Sequence, residues 1–503
     1  MNSNITTNFF SATKVFFKNL FFGFAVILLR IKKSILMMTL PEKRVAILFL
    51  VIGLTLTGIK SNQFYRSKTQ SVPDVGGSYK EAVAGELKFL NPVSAASDID
   101  QAVSDLIFSS LVKFNSKGNV VYDAAKSYSV SPDNLTYTFV LRDNVYFHNG
   151  DLLTPADIIY TVEMIQKPEM QSPLYNQWKD VVVAEGEGGA VTFTLPKAYG
   201  PFIYKCDFGI LPSNLSPDEF SKKIVGSGPY KYASTKKDGI KFVSLDLTRN
   251  GQYYGENHNV KNMEFDFFSS SNDAKTAYDQ GGYTGLSGIG SSAENAIDLS
   301  FNTSRRLALI PNLRTDKLKD ANFRKSLFGS QNFPDKATLS LATLDAPAQR
   351  DQAEKIKTQF SAQNVDLSIK YLSLVDFKKA LDSKSYELLL NGFDFGHDRD
   401  PYVYWHTSQL SNQNYAGYSD LKADISLEDA RMTQGSVARN ALYDQFFSSL
   451  ADQSMITFYD PIKFNFVVDG RKLKGTTAIS GTDPASRFVG FGNWFMEEKR
   501  VRK

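Results

Sequence analysis

The chain has 503 residues, enough for several domains with sizeable cores, and its 13% aromatic content excludes a chain that is disordered throughout. The net charge of +4 is local in origin: residues 1–60 hold eight lysines and arginines and a single acid, Glu42, so the remainder is near neutral and nothing asks for a nucleic-acid partner. One cysteine, Cys206, excludes an intrachain disulfide framework and a cysteine-based zinc site, and reads as a small buried apolar residue.

Residues 1–44 read as a basic segment on the cytoplasmic side. Within it, residues 9–29 are apolar and rich in phenylalanine, with Lys14 and Lys18 inside and Arg30, Lys32 and Lys33 after. That pattern suits a helix lying in the membrane interface; a second span, which would reverse the topology, is the competing reading. Residues 45–60 (VAILFLVIGLTLTGIK) read as a single-pass anchor in the lipid bilayer, an apolar run bounded by Lys43-Arg44 and Lys60. The basic residues before it keep the N-terminus cytoplasmic and place the bulk of the chain on the extracytoplasmic face. No small-x-small site and no lipid-accepting cysteine follows, which favours an uncleaved anchor over a processed leader. Residues 61–75 read as a short polar tether.

Farther along, Asp105 to Val112 reads as a helix that turns Leu106, Ile107 and Leu111 inward, and Ser116-Lys117-Gly118-Asn119 as a turn. In SPDNLTYTFVLRDNVYFHNGDLLTPADIIYTVEMIQ (131–166), Tyr137, Phe139, Leu141, Val145 and Phe147 alternate as a strand pair would, and Asn149-Gly150 closes the run. Thr154-Pro155-Ala156-Asp157 then opens a helix with an N-cap, a proline in the first turn and an acid at the third position. In VGSGPYKY (225–232) the glycines permit close backbone approach. Without a following lysine and helix cap that string is no phosphate cradle. Residues 240–300 read as strands, with a polar Gly/Ser-rich stretch over 281–293. A strand over 337–343, an amphipathic helix over 347–362 and a strand over 365–372 form a βαβ unit.

Several of these strings share order and spacing with one family. Residues 131–158 resemble "S-x-D-x-L-T-Y-T-F-x-L-R-x-x-V-x-F-H-x-G-x-x-x-T-x-x-D-V", and GGSYKEAVAGELKFLNP (76–92) resembles "G-G-x-x-x-E-x-x-x-G-x-x-x-x-L-N-P". VGSGPYK is similar to "G-T-G-P-Y-K", and GHDRDPYVYWHTSQ (396–409) to "D-P-D-P-Y-x-x-W-x-S-S-Q". These are motifs of the dipeptide/oligopeptide-binding proteins of bacterial ABC importers, extracellular solute-binding protein family 5. The resemblance runs from about Gly76 to Gly475, with one departure: after NLRTDKLKDANFRKSL (312–327) the chain passes almost directly into the next strand, so the second lobe looks shortened near 328–336.

The resemblance implies an α/β, periplasmic-binding-protein-like fold: two lobes with mixed sheets joined by a hinge, plus an extra subdomain. Lobe I would take 76–92, 216–300 and 451–503, the extra subdomain 93–215, and lobe II 301–450. It implies capture of short peptides between the lobes for ABC permease subunits in the membrane. In this family a carboxylate near "D-x-x-D-P" neutralises the peptide ammonium. The usual position holds His397 here; Asp398 is the expected substitute, then Asp394, with Asp400 beside them. Tyr402, Trp405, Asn91 and Trp178 are the remaining expected ligand contacts. The alternatives are a binder of a metal chelate or a sugar, or a surface scaffold that has lost its cavity. A metal reading of Asp394, His397, Asp398 and His406 lacks helical ligand spacing, so no metal or other cofactor is expected. No nucleophile elbow, P-loop or HExxH string is present, and catalysis is not expected.

Overall fold

A computed structural model describes Lys32, Lys33 and residues 37–503 apart from positions 116, 257 and 330. The helix expected over 9–29 lies outside the described residues. The chain forms two units, one reaching Val72 and including Glu498–Lys503, the other Pro73–Glu497.

In the first unit a helix spans Leu40–Lys68. Thr39 caps it: its amide donates to Glu42 Oε2 at 2.7 Å, and Pro41 sits in the first turn, where a missing N–H costs nothing. None of its residues is buried, and its most apolar window has a mean hydropathy of 1.7. Residues 61–75, expected as a tether, are instead structured. Nothing in SNQFYRSK interrupts the helix, which runs to Lys68. From Thr69 the backbone turns extended and pairs with the C-terminal strand. Arg500 Nε donates to Thr69 Oγ1 at 2.9 Å, and the Lys503 amide to the Lys68 carbonyl at 3.0 Å.

The second unit has the two lobes. The first holds a seven-stranded mixed sheet in which Gly76–Ala84 lies parallel to both Val260–Phe268 and Gly285–Ser287. A four-stranded antiparallel sheet of the inserted subdomain shares its core, Tyr79 and Phe265 joining Tyr137, Trp178 and Phe193 in one buried cluster. The second lobe is a five-stranded mixed sheet covered on both faces. Alternation on its strand Phe301–Pro311 makes this direct: Leu307 and Leu309 enter one core, Ala308 and Ile310 the other. The expected βαβ unit is present, with Ala337–Leu344 parallel to Val365–Leu372 and the helix Pro347–Ala362 between them.

Three expectations shift. The return to the first lobe falls at Asn465 rather than near 451, because Thr457–Phe464 completes the second lobe's sheet against Phe301–Pro311. The helix expected over 105–112 spans Asp98–Ile107: Ser97 and Asp100 form a capping box that starts it early, and Leu111 reaches the core from the chain beyond it. The alternating run 137–147 is one strand, Thr136–Leu141, whose partners are Ala125–Val130 and Ala190–Thr194. Val145 and Phe147 are buried from a loop around Asn149-Gly150. The Thr154 cap is as read, its amide donating to Asp157 Oδ2 at 2.7 Å.

The GSG string has a steric reason. The Gly228 amide donates to the Ile107 carbonyl at 2.8 Å, and a Cβ on Gly226 would lie 2.0 Å from that carbonyl oxygen. His148 closes the same corner, its amide donating to the Gly226 carbonyl at 2.7 Å. Burial lowers the pKa of this histidine to about 4, so it stays neutral at physiological pH. Gly226→Ala should therefore lower stability by about 1–3 kcal/mol through backbone overpacking. Denaturant unfolding checks this; a midpoint equal to wild type would contradict the close approach.

Candidate functional site

A cavity of about 570 Å³ opens between the lobes. Lys117, Asn119 and Tyr204 line it from the first lobe, and Arg306, Phe395 and Arg399 are among its second-lobe walls. The lobes also touch around it. The ring of His397 stacks on Phe114 at 3.5 Å between centroids, and its Nε2 lies 3.4 Å from Asp483 Oδ2. Arg305 holds Asp98 of the first lobe through two bonds of 2.6 and 2.7 Å, and Asp394 of its own lobe at 2.8 Å. Asn134 Nδ2 donates to the Met432 carbonyl at 2.7 Å. These contacts describe a closed arrangement.

The loop Asp394–Asp400 supplies a wall of the cavity and carries the expected carboxylates, yet each is taken by an arginine. Asp394 binds Arg305, and Asp400 binds Arg431 at 2.7 Å. Asp398, 3% exposed, binds Arg439, 2% exposed, at 2.6 Å. Arg439 comes from the helix Ser436–Asp452. Burial raises the Asp398 carboxyl to about 6 against the pull of that guanidinium, and its Oδ2 has no hydrogen-bond partner. Of the expected residues, His397 alone lines the cavity.

The other expected contacts are placed elsewhere. Trp178 is buried among Phe193, Phe202 and Phe208, and Trp405 against Tyr418 and Phe446. Tyr402 stacks on His406 and lies under the Arg431 guanidinium at 3.5 Å. Asn91 caps a short turn, accepting from the Val93 amide at 3.0 Å. The four side chains of the metal reading disperse to different partners: Arg305 for Asp394, Asp483 for His397, Arg439 for Asp398 and Glu428 for His406.

Two carboxylates that the sequence did not single out stand near His397 and Asp483 and have no ion-pair partner within bonding distance among the described residues. Asp105 lies on the helix Asp98–Ile107, and Asp207 follows Cys206. Both keep solvent-accessible side chains, yet desolvation by the surrounding protein raises both, Asp105 to about 7. Lys113 opposes the rise at Asp105, and His397 and Lys205 oppose it at Asp207. Neither residue sits in a recognisable string; folding alone brings them near His397 and Asp483.

Two lobes, two chain crossings and a cavity between them define a fold of the periplasmic-binding-protein kind. Residues 119–329 match the family described as bacterial extracellular solute-binding proteins, family 5 Middle. The oligopeptide-binding protein AppA of Bacillus subtilis (strain 168) is 25% identical over 211 residues, 39% of this chain and 38% of that protein. The glutathione-binding protein GsiB of Escherichia coli (strain K12) is 27% identical over 159 residues, 30% of this chain and 31% of that protein. These alignments thus span well under half of either relative. Solved structures agree in fold over far more. The ABC transporter substrate-binding protein CtaP of Listeria monocytogenes has a TM-score of 0.71 at 21% identity, covering 84% of this chain and 100% of that one. AppA of Bacillus subtilis in complex with a nonapeptide has a TM-score of 0.64 at 16% identity, covering 85% and 100%.

The buried Asp398–Arg439 pair gives a direct test. Arg439→Met should cost about 3–5 kcal/mol at pH 7, because it strands a buried carboxylate. With the folded pKa raised, protonation relieves that charge as pH falls, so the loss should shrink near pH 5. Asp398→Asn in the same chain should recover part of it. Denaturant midpoints at the two pH values check the pattern; a loss independent of pH would contradict it.

Proposed function

We propose that the protein is the extracytoplasmic ligand-capturing subunit of an ABC importer, held at the cell membrane by the helix Leu40–Lys68, and that it takes short peptides between its lobes. The cavity enclosed by both lobes carries the reading. The family match over residues 119–329 supports it, as do relatives named as oligopeptide- and glutathione-binding proteins. Ligand held in such a cavity stabilises the closed arrangement by its differential affinity for it, and the closed form is what a permease would recognise.

The ammonium partner in this reading is Asp105 with Asp207, since the carboxylates of Asp394, Asp398 and Asp400 are already occupied. A cationic ligand group favours the ionised acid, so binding must expel any proton Asp105 holds. Below pH 7 the affinity for a peptide should fall by up to about tenfold per pH unit. Asp105→Asn should weaken binding and flatten that slope. In the free protein the sign is opposite. Between the ordinary carboxylate pKa and 7 the folded chain keeps a proton that the unfolded chain loses, so this contribution to stability is lost as pH rises through that window.

The primary test is thermal unfolding of the full chain in lipid nanodiscs, with and without a pool of di- to hexapeptides. A ligand at 100 times its dissociation constant adds about 2.7 kcal/mol, a rise of a few degrees. No rise, with a cooperative transition kept, would move the assignment to a non-peptide ligand. The anchor is checked separately. The chain should stay in the alkaline-carbonate pellet, and its intact mass should include residues 40–68; a shorter mass beginning beyond Lys68 would make that helix a removed leader.

A further inference from the structure

The cavity's lining is one-sided in charge. Lys117, Arg306 and Arg399 face it, and among the described residues no aspartate or glutamate lines it. Arg399 is engaged by Asp444 at 2.8 Å. Among the described residues Arg306 and Lys117 have no acid within ion-pair distance, and both are solvent-exposed.

Arg306 is placed by the strand that carries it. Ala308 and Ile310 of Phe301–Pro311 enter the core on one face, and period-two alternation puts Arg306 on that same face, at the cleft end. The pairing with Thr457–Phe464 slips on both sides of Arg306, between Asn302 and Arg306 and again before Ala308. Such irregularities re-aim a side chain. On this face the apolar pattern is thus completed by a guanidinium at the cavity rather than by a further aliphatic residue.

Beside it stands an aromatic wall. Phe395, Phe447 and Phe458 pack edge to face, with centroid separations of 5.3, 5.5 and 6.0 Å, and all three line the cavity. Phe458 pairs with Ala308 across the strands, two residues from Arg306.

We infer that this cavity takes the carboxylate end of its ligand, with Arg306 as the carboxylate partner and the three phenylalanines holding a terminal aromatic or bulky aliphatic side chain. The inference rests on the cleft being the ligand site, and it sharpens the peptide reading to free-acid peptides with an apolar last residue. A planar guanidinium suits a carboxylate because it donates two parallel hydrogen bonds. Lys117 adds a second positive charge from the opposite lobe, so an anionic group here would also bridge the lobes.

The test uses the full chain in nanodiscs and calorimetric titration with alanyl-alanyl-phenylalanine, its C-terminal amide, alanyl-alanyl-alanine, N-acetylphenylalanine and N-acetylphenylalaninamide. The free acids should bind about ten- to a hundredfold more tightly than the matching amides. Arg306→Gln should erase that difference, and Phe447→Ala should erase the preference for phenylalanine over alanine at the last position. Should Arg306→Gln lose its unfolding transition, the acid-to-amide ratio of the wild type decides alone. Peptides bound equally as acid and amide would overturn the inference and leave the peptide reading standing. Binding of N-acetylphenylalanine without any tripeptide would do the reverse. No binding by any of the five would overturn both.

Discussion

A carboxylate removed from water must be met by an opposite charge, and that constraint organises the centre of this protein. The loop Asp394–Asp400 carries three aspartates into the region between the lobes. Each meets an arginine from a distant part of the chain: Arg305, Arg439 and Arg431. The pairs bring the strand Phe301–Pro311 and the helices that hold Arg431 and Arg439 onto one loop. Arg305 extends the network across the cleft to Asp98. Because the loop's own charges are met internally, the reading proposed above answers ligand charge elsewhere, by Asp105 and Asp207 on one side and Arg306 and Lys117 on another.

Local chemistry was legible in the sequence wherever a short string fully determines a backbone geometry. Thr154-Pro155-x-Asp157 specifies a helix start, because cap, proline and acid all act within one turn. The βαβ unit at 337–372 was legible because its apolar periods switch cleanly from two to near four and back. The string at 226–228 marked a close approach without saying to what; the Ile107 carbonyl is more than a hundred residues away. The Ser97–Asp100 box acts within one turn in the same way, and it starts the helix seven residues before the Asp105 expected from apolar spacing.

The candidate site was legible as a neighbourhood but not as a set of roles. DPYVYW located the loop beside the cavity, and His397 does line it. Whether Asp398 was free to meet a ligand depended on Arg439, and no spacing rule links positions 41 apart. Arg306 was equally hidden. In the string Arg305-Arg306 the two residues look equivalent, yet alternation sends them to opposite faces of one strand. Arg305 is consumed by Asp98 and Asp394, whereas Arg306 is left to the cavity.

That division also bears on how the lobes move. The chain crosses between them twice, near Ser300 and Asn465, and the crossings are tied by the Phe466 amide donating to Ser300 Oγ at 3.0 Å. Arg305 lies a few residues beyond this junction and holds the lobes together directly, while the adjacent Arg306 faces the space that a ligand fills. Two neighbouring guanidiniums therefore divide the work of closure. One supplies a contact present without ligand, at partly exposed carboxylates where an ion pair is worth at most about 1 kcal/mol. The other has no acid within ion-pair distance among the described residues, and in the reading proposed above it is met by the ligand's carboxylate. That pair acts beside the Phe114–His397 stack and the Asn134–Met432 bond, and in the reading proposed above ligand charge met by both lobes at once adds to the bias toward closure.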